Sequence, residues 1–153
     1  MPLPSAVITR GFIALLSVAL LSACDNAAQC AYQNGLEFEI SRAGLQEETI
    51  TPADGIQWHL LVSESSTSAP PVLLIHGFGA DASNWVRFAG NLEEEFYFVV
   101  PDLPGHGDST RDLGLDYTMK AQAKRLLTLM DTLQIEQFHV AGNSMGGAIT
   151  LEM

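Results

Sequence analysis

A serine in the sequence G-N-S-M-G at 142–146 has the surroundings of a nucleophile. The apolar run before it predicts a buried strand, and Met145 begins a predicted helix. On the sharp turn between them, Ser144 would project its hydroxyl above the sheet edge, and Gly142 and Gly146 would leave room where backbone segments approach closely. The helix N-terminus would favour negative charge on a carbonyl oxygen under attack. The pattern therefore predicts nucleophilic attack by a serine hydroxyl.

A second segment, H-G-F-G at 76–79, follows the apolar run 72–75, which also predicts a buried strand. In a strand-turn-helix site of this kind, the loop after an earlier strand supplies one backbone N–H to the oxyanion, and the residue after the nucleophile supplies the other. Here these donors would be Phe78 and Met145. Losing one such donor typically costs about 3 kcal/mol of transition-state stabilisation.

A base for this serine is harder to find in the sequence. The nine residues after Ser144 contain one acid, Glu152, and no histidine, and every histidine precedes the nucleophile (59, 76, 106 and 139). His139 would lie about 16 Å from Ser144 along the strand, beyond hydrogen-bond reach. His106, in a loop at the same sheet edge, is the one local candidate. We expect the chain alone to hydrolyse esters poorly, because serine without an imidazole partner is a weak nucleophile.

The elements that must position these residues alternate along the chain. The pattern predicts strands at 36–40, 56–63, 72–75, 96–100 and 138–141, and helices at 82–92, at 119–133 and from Met145 onward. This alternation indicates an α/β fold with a doubly wound, mostly parallel sheet. The last residues, 148–153, lack a helix stop signal, so we expect the front part of a longer protein.

The N-terminus has the features of an export signal. Arg10 precedes an apolar stretch at 11–23, which is too short for a membrane span of about 20 residues. The following L-S-A-C, ending at Cys24, resembles the lipobox of bacterial lipoproteins, in which the cysteine becomes the lipidated first residue. The predicted organisation is therefore a signal peptide at 1–23, a polar tether at 24–35 and a domain at 36–153. An ordinary secretory signal is the alternative.

The predicted location is the bacterial cell envelope, with the protein exported and anchored by lipid at Cys24. Asp25 weakly favours the inner membrane, as an aspartate there does in some lipoproteins. With seven Lys and Arg against 18 Asp and Glu, the net charge is −11, so no electrostatic footprint for nucleic acid exists. Two cysteines cannot make a disulfide-rich scaffold, and no Cys/His cluster has metal-ligand spacing, so neither cofactor nor metal is implied.

Three blocks together, HGFGADASNW (76–85), PDLPGHGDS (101–109) and GNSMGG (142–147), resemble the α/β-hydrolase superfamily, most closely its bacterial lipases and esterases. The resemblance implies a small-molecule or lipid ester as substrate. It gives His76, Gly77 and Asp102 structural roles, and it puts the triad acid and histidine after Met153. GNSMGG also occurs in the carbon–carbon bond hydrolases of this superfamily, so the substrate stays open.

Two further interpretations come from different classes of protein. Residues 77–82 also match G-x-G-x-x-A between a strand and a helix, and Asp102 follows 20 residues later, as in a dinucleotide-binding domain. The serine turn at 142–146 would have no role there. A non-catalytic binding protein that keeps the hydrolase shell is the other alternative, although a strained turn is costly to keep without use.

Overall fold

The computed structural model describes residues 27–64 and 68–153. The predicted signal peptide at 1–23, Cys24 and Asp25 lie outside the described residues. Within the described part, no helix is both long enough and apolar enough to cross a membrane. The chain divides into two compact units, Met1–Phe38 and Glu39–Met153, and the second contains the sheet and the predicted site.

Helix α1 covers residues 27–42, so the predicted strand at 36–40 is wrong. The alternation L-E-F-E-I suggested a strand, but Leu36, Ile40 and Ala43 recur at intervals of four and three residues, which is the period of a helix. Ile40 and Ala43 are buried. The predicted tether at 24–35 is helical where it is described, from residue 27, and its role as a tether stays a prediction.

The five strands of the described chain form one mixed sheet in the order β1-β2-β4-β3-β5. Their bounds are β1 Leu45–Ile50, β2 Trp58–Ser63, β3 Pro71–Ile75, β4 Tyr97–Pro101 and β5 His139–Gly142. The pairs β1–β2 and β2–β4 are antiparallel, whereas β3 pairs in parallel with β4 and with β5. The α/β class is confirmed, and the sheet is mixed because the first two strands run antiparallel to their neighbours. Strand β1 was missed, since only Leu45 among its residues is fully buried.

In the described chain, one α-helix follows each of the strands β3, β4 and β5. The predicted helix at 82–92 is a 3-10 turn, Ala82–Trp85, followed by α2, Val86–Gly90, and the side chain of Asp81 caps the 3-10 turn. Helix α3, Met119–Thr132, packs Ala123, Leu126, Leu129 and Met130 into the core. Helix α4, Met145–Thr150, follows β5. The core side of the sheet is formed mainly by β2 and β3, whose central residues are almost fully buried.

Candidate active site

Ser144 lies on the turn between β5 and α4, with φ 53° and ψ −112°. A non-glycine residue in this region costs about 1–3 kcal/mol, and the surrounding packing must impose it. A Cβ atom on Gly142 would overlap the carbonyl of Gly146 and lie 2.6 Å from Gly147 N. One on Gly146 would overlap the carbonyl of Ile75. The two glycines are therefore a steric requirement of the turn that exposes the serine.

The loop after β3 lies directly beside this serine. Asn143 N–H donates to Ile75 O at 3.0 Å, and a Cβ built on Gly77 would be 3.4 Å from Ser144 Cβ and 3.9 Å from its Oγ. Among the described residues, the backbone N–H groups of Phe78 and Met145 donate to no acceptor, and Ser144 Oγ has no hydrogen-bond partner. The structure thus brings the 76–79 loop to the serine and leaves both predicted oxyanion donors free.

His76 is held by both ring nitrogens. Leu103 N–H donates to its Nε2 at 2.9 Å, so Nδ1 carries the proton and donates to Gly77 O at 2.8 Å. The side chain is buried, and burial lowers its pKa from 6.5. A neutral imidazole with both nitrogens occupied has no free atom for accepting the serine proton.

His106, the local candidate for the base, packs between two residues of the loop. Its ring stands edge-on to the rings of His76, at 5.1 Å between centroids, and of Phe78, at 5.7 Å. Its Nδ1 is buried without a hydrogen-bond partner in the described chain. His139, by contrast, is exposed on β5 opposite Val72. The rings of His76 and His106 thus pack at the loop after β3, and no described histidine hydrogen-bonds to Ser144 Oγ.

Asp102 is a buried carboxylate with three hydrogen-bond donors. Its Oδ1 accepts from Ala82 N–H at 2.7 Å, and its Oδ2 accepts from Asp108 N–H and from His59 Nδ1, each at 2.9 Å. Burial pushes the pKa of Asp102 up, but these hydrogen bonds outweigh it, so the pKa lies below its usual 3.8. The hydrogen bond to Asp102 raises the pKa of His59 above 6.5, against an opposing effect of burial.

These contacts weigh against the dinucleotide interpretation. A ribose-binding acid must present free carboxylate oxygens, whereas both oxygens of Asp102 are occupied within the fold. A Cβ atom on Gly107 would overlap the same carboxylate, which shows how closely the 105–109 loop wraps around it. The pairing of His59 with Asp102 was missed, because the two residues are 43 positions apart and His59 looks like an ordinary strand residue.

A cavity of about 390 Å³ adjoins the serine turn. Its lining combines the turn, the loop after β3 and the 3-10 helix: His76, Gly77, Asn84, Trp85, Gly142 and Asn143. Asn84 and Trp85 were not predicted as site residues, although both belong to the block at 76–85. In the described part of the chain, no group of three or more His, Cys, Asp and Glu side chains could hold a metal ion.

The mixed sheet, the serine turn after β5 and the loop after β3 together define an α/β architecture, and comparisons with known proteins agree with this fold. A family model described as the alpha/beta hydrolase fold matches residues 70–153. The chain belongs to the α/β-hydrolase family.

Two lipases and one solved structure are similar over most of the chain. Lipase 3 of Moraxella sp. (strain TA144) is 35% identical over 145 residues, covering 92% of this chain and 45% of that protein. Lipase 1 of Psychrobacter immobilis is 34% identical with the same coverage. The crystal structure of a membrane phospholipase A superimposes with a TM-score of 0.79 at 36% identity, covering 96% of this chain and 47% of that one. The chain thus spans less than half the length of each.

Proposed function

We propose that the protein is a serine hydrolase of carboxylic esters, with Ser144 as the nucleophile. The observation that carries the proposal is the strained, exposed serine beside two backbone N–H groups without acceptors. The similarity to two lipases favours ester hydrolysis over carbon–carbon bond hydrolysis, which uses the same turn. Small-molecule and lipid esters are both proposed substrates.

In this mechanism Ser144 Oγ attacks the ester carbonyl carbon while a base removes the hydroxyl proton. The carbonyl oxygen becomes a tetrahedral oxyanion that accepts hydrogen bonds from Phe78 N–H and Met145 N–H. Collapse of this intermediate expels the alcohol and leaves an acyl-enzyme, which water hydrolyses. We propose that the histidine and acid of the triad are supplied by chain beyond Met153, and that residues 1–153 alone are inactive.

The nucleophile is tested by labelling the full-length protein with a fluorophosphonate probe and locating the modified peptide by mass spectrometry. We expect the label on Ser144 and its complete loss in Ser144→Ala. Ser41→Ala, at an exposed serine in the last turn of α1, is the matched control and should label like the wild type. Absence of any label in a folded protein would favour the non-catalytic interpretation. For residues 1–153 alone, rapid turnover of a nitrophenyl ester that is lost in Ser144→Ala would contradict the proposed inactivity.

The proposed location is the bacterial cell envelope, with the protein anchored by lipid on Cys24. The proposal is supported by the apolar stretch at 11–23 and the L-S-A-C sequence. Growth with an alkyne fatty acid should label the wild type and Cys30→Ser but not Cys24→Ser. Cys30 is the suitable control because it is an exposed free cysteine. Fractionation into the outer membrane would remove the weak inner-membrane proposal from Asp25.

A further inference from the structure

Two consecutive residues after β4 hold both ends of the loop that contains Phe78. Leu103 N–H donates to His76 Nε2 at the start of the loop, and Asp102 Oδ1 accepts from Ala82 N–H at its end. Between these ends, Phe78 is 82% exposed and its N–H has no acceptor in the described chain. The position of this proposed oxyanion donor therefore depends on how firmly Asp102 and Leu103 are held.

His59 on β2 is the side-chain donor that fixes Asp102. In addition to the Nδ1–Oδ2 hydrogen bond, Asp102 N–H donates to His59 O at 2.9 Å. Ser109 Oγ joins the same two residues, since it accepts from His59 N–H at 2.9 Å and donates to Asp102 O at 2.7 Å. Backbone and side chain of His59 are thus both engaged with the residue that anchors Ala82.

We propose that His59 is a positioning residue for the oxyanion loop and acts through Asp102. The inference deepens the proposed esterase function and rests on it. If His59 Nδ1 is removed, Oδ2 keeps one donor, Asp108 N–H, and the buried carboxylate shifts towards its remaining partners. The end of the loop at Ala82 moves with it, and so does the Phe78 N–H. Small misplacements of groups that stabilise a transition state lower rates by about ten- to a hundredfold.

The charges around His59 support an ordered pair. Its Nε2 lies 4.0 Å from Glu47 Oε2 on β1, and the Asp108 carboxylate also acts on the ring electrostatically. The side chain is 18% exposed, whereas that of Asp102 is 3% exposed, so solvent reaches the histidine side of the pair only. These acidic neighbours favour the doubly protonated ring, which keeps a proton on Nδ1 for Asp102.

The test compares two substitutions at His59 in the full-length protein. His59→Leu removes the donor, whereas His59→Asn places an amide N–H near the position of Nδ1. We expect His59→Leu to lower kcat about tenfold or more with KM nearly unchanged, and His59→Asn to restore most of it. His139→Asn, at an exposed strand histidine away from the loop, is the matched control. Each rate is divided by the fraction of protein that the fluorophosphonate probe labels at Ser144. A loss of folded protein alone therefore does not lower kcat.

Wild-type kcat per titrated site in His59→Leu would overturn the inference. A second measurement does not depend on any variant or on catalysis: in NMR spectra of the wild type, the Ala82 amide should shift together with the titration of the His59 ring. An Ala82 amide whose chemical shift does not change as the His59 ring titrates would also overturn the inference. If the wild type neither hydrolyses esters nor reacts with the probe, the proposed function fails, while the Ala82 measurement still decides whether His59 holds the loop.

Discussion

Leu103 N–H donates to His76 Nε2 at 2.9 Å across 27 positions of sequence. This one hydrogen bond fixes the tautomer of a buried histidine and attaches the loop after β3 to the loop after β4. It also explains why a histidine so near the proposed nucleophile is not its base: the lone pair that would accept the proton is already used.

Replacing His76 by leucine should destabilise the fold by about 1–3 kcal/mol, because it leaves the buried Leu103 N–H without an acceptor. The pKa of His76 is lowered from 6.5 in the folded state, so the unfolded chain takes up the proton first as pH falls. The wild type thus loses stability from about pH 6.5 downward, and the variant lacks this loss. Urea unfolding at pH 7 and pH 5 should show the difference between the two proteins shrinking at pH 5. A difference that grows at pH 5 would contradict the neutral assignment.

The pair formed by His59 and Asp102 should show the opposite pH dependence. The folded pKa of His59 is raised above 6.5, so its contribution is fully present below pH 6.5 and is lost as pH rises through the folded value. The pKa of Asp102 is lowered from 3.8, so the contribution of its carboxylate is lost only as pH falls through that lowered value. A double-mutant cycle of His59→Leu and Asp102→Asn should give a coupling of about 1–3 kcal/mol with a plateau between these limits. Coupling that increases at alkaline pH would refute the charged pair.

The serine turn should reject any side chain at Gly146. Gly146→Ala forces a methyl group into the Ile75 carbonyl and to within 2.7 Å of His76 O. Because both contacts are backbone, we expect a loss of more than about 3 kcal/mol, at the upper end of overpacking effects. Gly35→Ala is the matched control, since nothing lies within 4 Å of its added methyl group and it lies in helix α1. That control should gain about 0.5–1 kcal/mol. Equal effects of the two substitutions in urea unfolding would exclude the steric explanation.

Ser144→Gly should raise stability while abolishing the proposed activity. Glycine adopts φ 53° without the penalty that serine carries, so strain relief outweighs the greater entropy of an unfolded glycine. We expect a gain of about 1 kcal/mol for Ser144→Gly and little gain for Ser144→Ala, which keeps a Cβ atom at the strained position. Thermal unfolding of the wild type, Ser144→Gly and Ser144→Ala compares their stabilities. A glycine variant less stable than the alanine variant would show that the turn is unstrained.

The elements nearest the site could be predicted from sequence because their signals are local. The runs ending at Ile75 and Ala141 are short, mostly apolar segments followed by turns that contain glycine, and β3 and β5 lie within one residue of the predicted bounds. Strand β3 is buried as predicted, whereas the prediction of a buried strand at 138–141 is wrong, because His139 is exposed and the rest of β5 is only partly buried. Helix α3 likewise follows from its apolar period, with Leu126, Leu129 and Met130 buried on one face and Leu127 39% exposed. Segments with weak or mixed patterns, α1 and β1, were assigned wrongly or missed.

The relationships that depend on distant residues could not be predicted in this way. The contact of His59 with Asp102 exists because β2 and β4 pair antiparallel, and nothing near either residue in sequence specifies that pairing. The same holds for Trp85, which reaches the cavity beside Gly142 only once the loop after β3 has folded. Local sequence patterns gave the candidate site residues, whereas the strand order determines which of them are in contact.

The last prediction concerns β5, whose single neighbour in the described sheet is β3. Beside it, an apolar groove of about 350 Å³ is lined by Val72, Phe88, Leu92, Phe96, Phe98, His139, Val140 and Ala141. An open strand edge next to apolar surface is a template for pairing with another chain.

A protein of residues 24–153 should therefore self-associate in sedimentation velocity, and Ala141→Lys should reduce this self-association by placing a charge on β5. Leu127→Lys adds the same charge on α3, away from the groove, and should have little effect. A monomeric wild type with a sharp, cooperative thermal transition would show that the edge is not a site of association.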